Sequence, residues 1–156
     1  MEQIGEKAPG FSLLDTEKQK VSLDSFKGKN VVLFFFPFVF TGTCTKEMCM
    51  VQEDFNLYKG MNAVPIGVSI DTLYSMKKFK EVYKLDDIIL LSDFNKEAIR
   101  AYDVCIEEYP NGYKGVAKRA TFLIDKEGIL RYSEVLPSVS DFPDMDALKK
   151  ALEKLN

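Results

Sequence analysis

The sequence predicts an α/β fold: a central mixed sheet with helices on both faces and an N-terminal hairpin. Three observations predict it. Val31-Val32-Leu33-Phe34-Phe35-Phe36 is a continuous apolar run, as expected of a strand buried on both faces. Strand-like runs then alternate with amphipathic helical stretches, which implies a parallel part to the sheet. Two strands and a helix close the chain and add an antiparallel edge. In order, residues 11–14 and 21–23 read as short strands around a polar turn at 15–19. After the apolar run, Pro37 stops the strand. A helix is expected over 43–59, with Cys44, Met48, Val51, Phe55 and Tyr58 in one stripe and Gly60 at its end. Residues 64–70 form the next strand. Asp71 is expected to cap a helix reaching residue 83, with Leu73, Met76, Phe79 and Val82 on its inner face. Residues 88–91 read as a strand and 96–102 as a short helix. Strands at 121–124 and 129–135 are joined by a tight turn, Asp125-Lys126-Glu127-Gly128. The last helix is expected over 144–155. No repeat, low-complexity tract or linker divides the chain, so residues 1–156 read as a single domain.

The composition is that of an ordinary soluble protein, with 46% apolar and 29% charged residues. A net charge of −3 asks for neither nucleic acid nor an anionic membrane. The longest apolar run is too short to span a bilayer. Residues 1–7 show no basic start leading into an apolar segment, so they do not read as a signal peptide. A cytoplasmic protein is expected. In that compartment cysteines are more often catalytic, redox-active or metal-binding than paired for structure. There are three, Cys44, Cys49 and Cys105, and no histidine at all. The commonest general base and metal ligand is therefore missing, and no metal or bound cofactor is expected.

Cys44 falls just after the buried strand, in the first turn of the following helix. Open α/β sheets place their ligands there, and free backbone N–H groups with the helix dipole stabilise a thiolate. Position alone is equally consistent with a small core residue heading the apolar stripe. The neighbours decide it. Pro37-Phe38-Val39-Phe40-Thr41-Gly42-Thr43-Cys44 fits Pro-x-x-x-Thr-x-x-Cys, and resembles the active-site signature of the peroxiredoxins. The resemblance extends along the chain. Gly5-x-x-Ala8-Pro9-x-Phe11-x-Leu13 is similar to the family's opening, and Leu23-x-x-Phe26-x-Gly28-Lys29 to its approach to the central strand. Arg119-Ala120-Thr121-Phe122-Leu123-Ile124-Asp125-Lys126-Glu127-Gly128 resembles the segment that carries the family's active-site arginine. Two motifs in the right order are far more specific than one.

The resemblance implies a thioredoxin-like fold in its peroxiredoxin variant and a thiol-dependent peroxidase with these roles. Cys44 attacks the terminal oxygen of hydrogen peroxide or an organic hydroperoxide and becomes a sulfenic acid. Thr41 accepts from the thiol or peroxide and donates in turn. Arg119 stays charged, stabilises the thiolate and polarises the breaking O–O bond. Pro37 packs over the sulfur. Glu47, three residues after Cys44 on the same helical face, is a candidate to orient Arg119; a solvated first-turn acid is the alternative. Thr41 as a plain turn residue and Arg119 as a surface strand residue are the corresponding alternatives. Of the three arginines, Arg100, Arg119 and Arg131, only Arg119 stands in the matching context.

Cys49 lies five residues after Cys44. On a helix that is about 500° of rotation, leaving the side chains roughly 140° apart and the Cα atoms about 8 Å apart. A disulfide needs less than about 7 Å, so one can form only if the first turns unwind. The spacing is similar to that of Q-type peroxiredoxins, also called bacterioferritin comigratory proteins, in which the second cysteine resolves the first and a thioredoxin-like reductant recycles the pair. That group usually has Thr-Pro-Gly-Cys. Here Thr41-Gly42-Thr43-Cys44, with Leu91-Ser92-Asp93-Phe94, is closer to one-cysteine peroxiredoxins of the alkyl hydroperoxide reductase E type. Cys49 as resolving thiol and Cys49 as bystander both stay open, as do monomer and homodimer. Cys105 reads as a packing residue, with a resolving role as the alternative. A thioredoxin-like disulfide oxidoreductase would need C-x-x-C, which is absent. A zinc site is poorly served by two thiols on opposite helix faces. A non-catalytic redox sensor on the same fold is a third reading.

Overall fold

The computed structural model describes residues 4–156. Residues 1–3, part of the stretch read above as no signal peptide, lie outside the described residues. An N-terminal hairpin pairs β1 (Ser12–Asp15) with β2 (Lys20–Ser22). The apolar run forms β3 (Asn30–Phe35), whose six residues are all buried. Then come α1 (Gly42–Glu53), α2 (Phe55–Gly60), β4 (Ala63–Ser69), α3 (Leu73–Tyr83), β5 (Ile89–Ser92) and α4 (Glu97–Ala101). A small hairpin follows, β6 (Cys105–Ile106) with β7 (Val116–Ala117), then β8 (Ala120–Ile124), β9 (Leu130–Val135) and α5 (Met145–Glu153). Seven of the described strands make one mixed sheet in the order β2-β1-β5-β4-β3-β8-β9. β3 is parallel to β4 and antiparallel to β8, and so sits at the junction of the two halves.

Alternation along β3 divides the core. Val31, Leu33 and Phe35 pack into one cluster with Phe122, Ile66 and Tyr102. Val32, Phe34 and Phe36 pack into the other, under Cys44, Met48 and Val51 of α1. Period two in a strand sends successive side chains to opposite faces, so both faces must be covered. None of the described helices is long and apolar enough to cross a membrane.

Three expectations are corrected, and one element is additional. The helix expected over 43–59 is two segments, broken at Asp54 (φ −89°, ψ 8°). The apolar stripe runs through the break because Asp54 holds the second segment in line: its carbonyl accepts from the N–H groups of both Leu57 and Tyr58. Asp71 does not cap α3. Thr72 does, accepting from the Ser75 N–H at 3.3 Å, and the Asp71 carboxylate serves the active-site loop instead. Val82 is 50% exposed rather than inward. Three successive steps of three residues each fall about 60° short of a turn, so Val82 ends about 180° from Leu73. The β6–β7 hairpin, too short to leave a periodic signal, was not expected.

One glycine decides how closely α1 lies on the sheet. A Cβ at Gly67, opposite Phe34 in the β3–β4 ladder, would meet Leu90 Cδ2 at 2.7 Å and Met48 Sδ at 2.9 Å. Both neighbours are fully buried and cannot swing away. Gly67→Ala should therefore lower the unfolding free energy by about 1–3 kcal/mol through overpacking. Urea denaturation measures it, and an unchanged midpoint would mean that α1 shifts freely.

Candidate active site

The chain leaves the sheet when Phe36 N–H donates its last ladder bond to the Val68 carbonyl at 3.0 Å. Pro37 is buried immediately after it. The loop that follows is held at two points. Val39 N–H donates to Asp71 Oδ2 at 2.9 Å, and the Thr41 hydroxyl donates to the Phe38 carbonyl at 2.8 Å. Between them Phe40 takes φ 66°, left-handed and unusual for a bulky residue; its ring lies on Phe79 and Tyr83. Thr41 then occupies the N-cap position of α1, and its carbonyl accepts the first helical bond from Thr45 N–H at 2.9 Å. Cys44 is the third residue of the helix and only 1% exposed.

Arg119 directly precedes β8. The register pairs Phe35 with Ala120, which brings the exit of β3 beside the entry of β8 and Arg119 beside Cys44. Its guanidinium is 2% exposed, and all three nitrogens are engaged. Nη2 donates to Cys44 Sγ at 3.3 Å and to the Val139 carbonyl at 2.7 Å. Nη1 donates to Glu47 Oε1 at 2.7 Å, and Nε donates to the Val139 carbonyl at 3.3 Å. Glu47 is completely buried. Its other oxygen, Oε2, has no hydrogen-bond partner. Burial pushes the Glu47 carboxyl up to about 7, against the pull of Arg119, and Glu134 adds to the rise. Burial disfavours the charge on Arg119, but Glu47 and Cys44 outweigh it and hold the guanidinium's proton more tightly than usual.

The structure thus brings Cys44, Glu47 and Arg119 together. Thr41 stays exposed on the rim, with its hydroxyl proton committed to Phe38. Cys49 is half-buried against the cluster beneath α1; burial pushes its thiol up, and Glu53 pushes it further. It lies within the same unbroken helix as Cys44, and both are free thiols. Cys105, half-buried, packs against the core on the opposite face of the sheet. Its thiol is raised by burial and by Glu107, partly offset by Arg100. Two participants had no signal in the sequence. Val139 acts through a backbone carbonyl, which any residue carries. Asp71 looked like a helix cap because it sits one position before the real one. Beside the loop a cavity of about 640 Å³ is lined by Phe38, Val39, Thr41, Tyr109 and Tyr113, with the Phe38 ring edge-on to both tyrosines.

Comparisons with known proteins show the family and the fold. The model of the AhpC/TSA family matches residues 4–133. A putative peroxiredoxin bcp of Coxiella burnetii is 38% identical over 139 residues, 88% of this chain and 89% of the relative. Peroxiredoxin Bcp of Bacillus subtilis is 39% identical over 130 residues, 82% of each chain. A solved peroxiredoxin-like protein from Aquifex aeolicus superposes with a TM-score of 0.88 at 26% identity, covering 99% of this chain and 88% of that one. Peroxidoxin BcpB from Mycobacterium tuberculosis gives 0.87 at 26% identity, covering 100% and 99%. The thioredoxin-like fold expected from the sequence is the fold these structures share with this chain. Because the matched residues include the strand, loop and helix around Cys44 and the strand entered from Arg119, the chain belongs to the AhpC/TSA family.

Proposed function

We propose that the chain is a thiol-dependent peroxidase whose nucleophile is Cys44. The observation that carries this reading is a buried guanidinium 3.3 Å from the sulfur of a cysteine in the first turn of a helix. Cation and helix dipole both favour the thiolate, the attacking form. The thiolate attacks the terminal oxygen of a hydroperoxide, the O–O bond breaks, and Cys44 becomes a sulfenic acid. Arg119 stabilises the charge that builds on the two oxygens. Thr41, its own proton given to Phe38, keeps lone pairs free for the peroxide O–H. Pro37 limits access to the sulfur. Glu47 orients Arg119. The reaction as written needs no metal or bound cofactor, and the site is complete within one chain. The aromatic groove beside Phe38 supports organic hydroperoxides as substrates along with hydrogen peroxide. A reducing compartment such as the cytoplasm suits a site built on free thiols.

Regeneration follows one of two courses. Cys49 resolves the sulfenic acid as an intramolecular disulfide, reduced in turn by a thioredoxin-like dithiol. In the second course an external thiol acts on Cys44 directly and the helix from Gly42 to Glu53 stays intact, whereas the first course requires its opening turns to unwind.

Three outcomes are expected. Cys44→Ser should abolish peroxide consumption without loss of the circular dichroism of the native fold; appreciable turnover would end the proposal. Arg119→Lys keeps the charge but loses the planar fork, so the second-order rate with peroxide, followed by stopped flow, should fall by about 10-fold or more, at least ~1.4 kcal/mol. A rate within twofold of wild type would count against the assigned role. If Cys49 resolves, one equivalent of peroxide should yield a Cys44–Cys49 linkage in non-reducing peptide maps, and amides over residues 43–50 should lose protection against hydrogen exchange. A lasting sulfenic acid with Cys49 free would instead assign the one-cysteine course.

A further inference from the structure

Three ionisable groups in this site are essentially dry, and their charges do not match. Arg119 supplies one positive charge. Cys44 and Glu47 can each supply a negative one, and none of the three is more than 2% exposed. Two anions against one cation would leave a net negative charge in a layer with little water to solvate it, which is strongly disfavoured. Two such groups on one cation titrate as a pair.

The surroundings of Glu47 disfavour its charge. Oε1 is taken by Arg119 Nη1. Oε2 has no partner, and neither do the hydroxyls of Tyr58 and Thr121, all fully buried. Tyr58 belongs to the core cluster under α1, and Thr121 lies two residues along β8 from Leu123 of the same cluster. Glu134, opposite Thr121 on β9, adds a negative field. From α5, Lys149 is committed to Asp54 at 3.2 Å. Arg119 is thus the cation that faces Glu47, and it is shared. A carboxyl that reaches about 7 through burial agrees with a neutral Glu47.

We propose that Cys44 and Glu47 share one negative charge across Arg119, and that as Cys44 is oxidised the charge passes to Glu47, which releases the proton the leaving oxygen requires. The inference rests on Cys44 being the peroxide-reactive thiolate. At the start Cys44 is a thiolate and Glu47 a neutral acid. The sulfur's electron pair forms the S–O bond, the O–O bond breaks, and its pair leaves as alkoxide, or as hydroxide from hydrogen peroxide. Cys44, now a neutral sulfenic acid, no longer balances Arg119. Glu47 ionises in its place, and the proton it releases balances the one the leaving oxygen takes up. Thiolate, hydroperoxide and carboxylic acid become sulfenic acid, alcohol or water, and carboxylate, with one negative charge before and after. Glu47 acts through Arg119 and is a positioning residue with a proton to give.

The test counts protons. In a Cys49→Ser background, which keeps Cys44 at the sulfenic acid, reduced protein in weakly buffered solution near about pH 7 is mixed with one equivalent of hydrogen peroxide, and an indicator dye follows pH. A glutamine in place of Glu47 keeps an oxygen for Arg119 but has no proton to release. Glu47→Gln should therefore take up one proton more from the medium, per Cys44 oxidised, than the protein with Glu47. Equal uptake overturns the inference while leaving the peroxidase reading intact, whereas failure of Cys44 to form a sulfenic acid in either protein overturns both. Wild-type protein gives a second readout that needs no folded Glu47 variant. Difference infrared spectra should lose a protonated carboxyl band when peroxide is added, and a carboxyl already ionised in the reduced protein overturns the proposal.

Discussion

The buried guanidinium of Arg119 is the constraint on which the rest of the site depends. A planar cation with its N–H groups fixed in direction can satisfy acceptors only where they already lie. Here three acceptors come from two separate parts of the chain: the sulfur and carboxylate of α1, and the backbone carbonyl of Val139 in the segment after β9. The β3–β8 ladder sets the position of the cation. A shift of one residue in that register would send Arg119 to the other face of the sheet, away from Cys44 and toward the cluster around Tyr102. The geometry around Cys44 is thus a property of strand pairing before it is one of side chains.

The loop around Thr41 is made rigid by contacts that have no part in the chemistry. Asp71 links it to the end of β4 through the Val39 N–H and the Ser69 hydroxyl. Phe40 holds a left-handed backbone, a conformation that persists only where the surroundings over-determine it, and its ring is wedged against α3. Gly67 allows α1 to settle directly onto the sheet through Met48. Cys44, Thr41 and Arg119 are therefore supported from three sides.

Much of this was legible in the sequence. The apolar run at 31–36 announced a central strand, and the order of strands and helices announced the sheet. Pro37, Thr41, Cys44 and Arg119 were marked by motifs, and Glu47 by its spacing of three on the helix. What escaped notice has a common cause: it depends on backbone groups or on contacts distant in sequence. Val139 contributes a carbonyl, and the two-residue strands of the β6–β7 hairpin have no period to read. Asp71 and Thr72 are both good caps, and only the path of the chain decides between them. The break at Asp54 was hidden because the apolar stripe continues through it.

The separation of 75 residues between Cys44 and Arg119 carries a consequence for biosynthesis. A ribosome adds about 5–20 residues per second, so Arg119 is made about 4–15 s after Cys44. Throughout that interval the growing chain holds Cys44 and Cys49 without the guanidinium, and α1 has no β8 to close against. The surroundings of Cys44 are assembled late, by the antiparallel pairing of β3 with β8 and then by the Val139 segment and α5. Until β8 is made and paired with β3, a nascent chain therefore lacks the contact between Cys44 and Arg119 altogether.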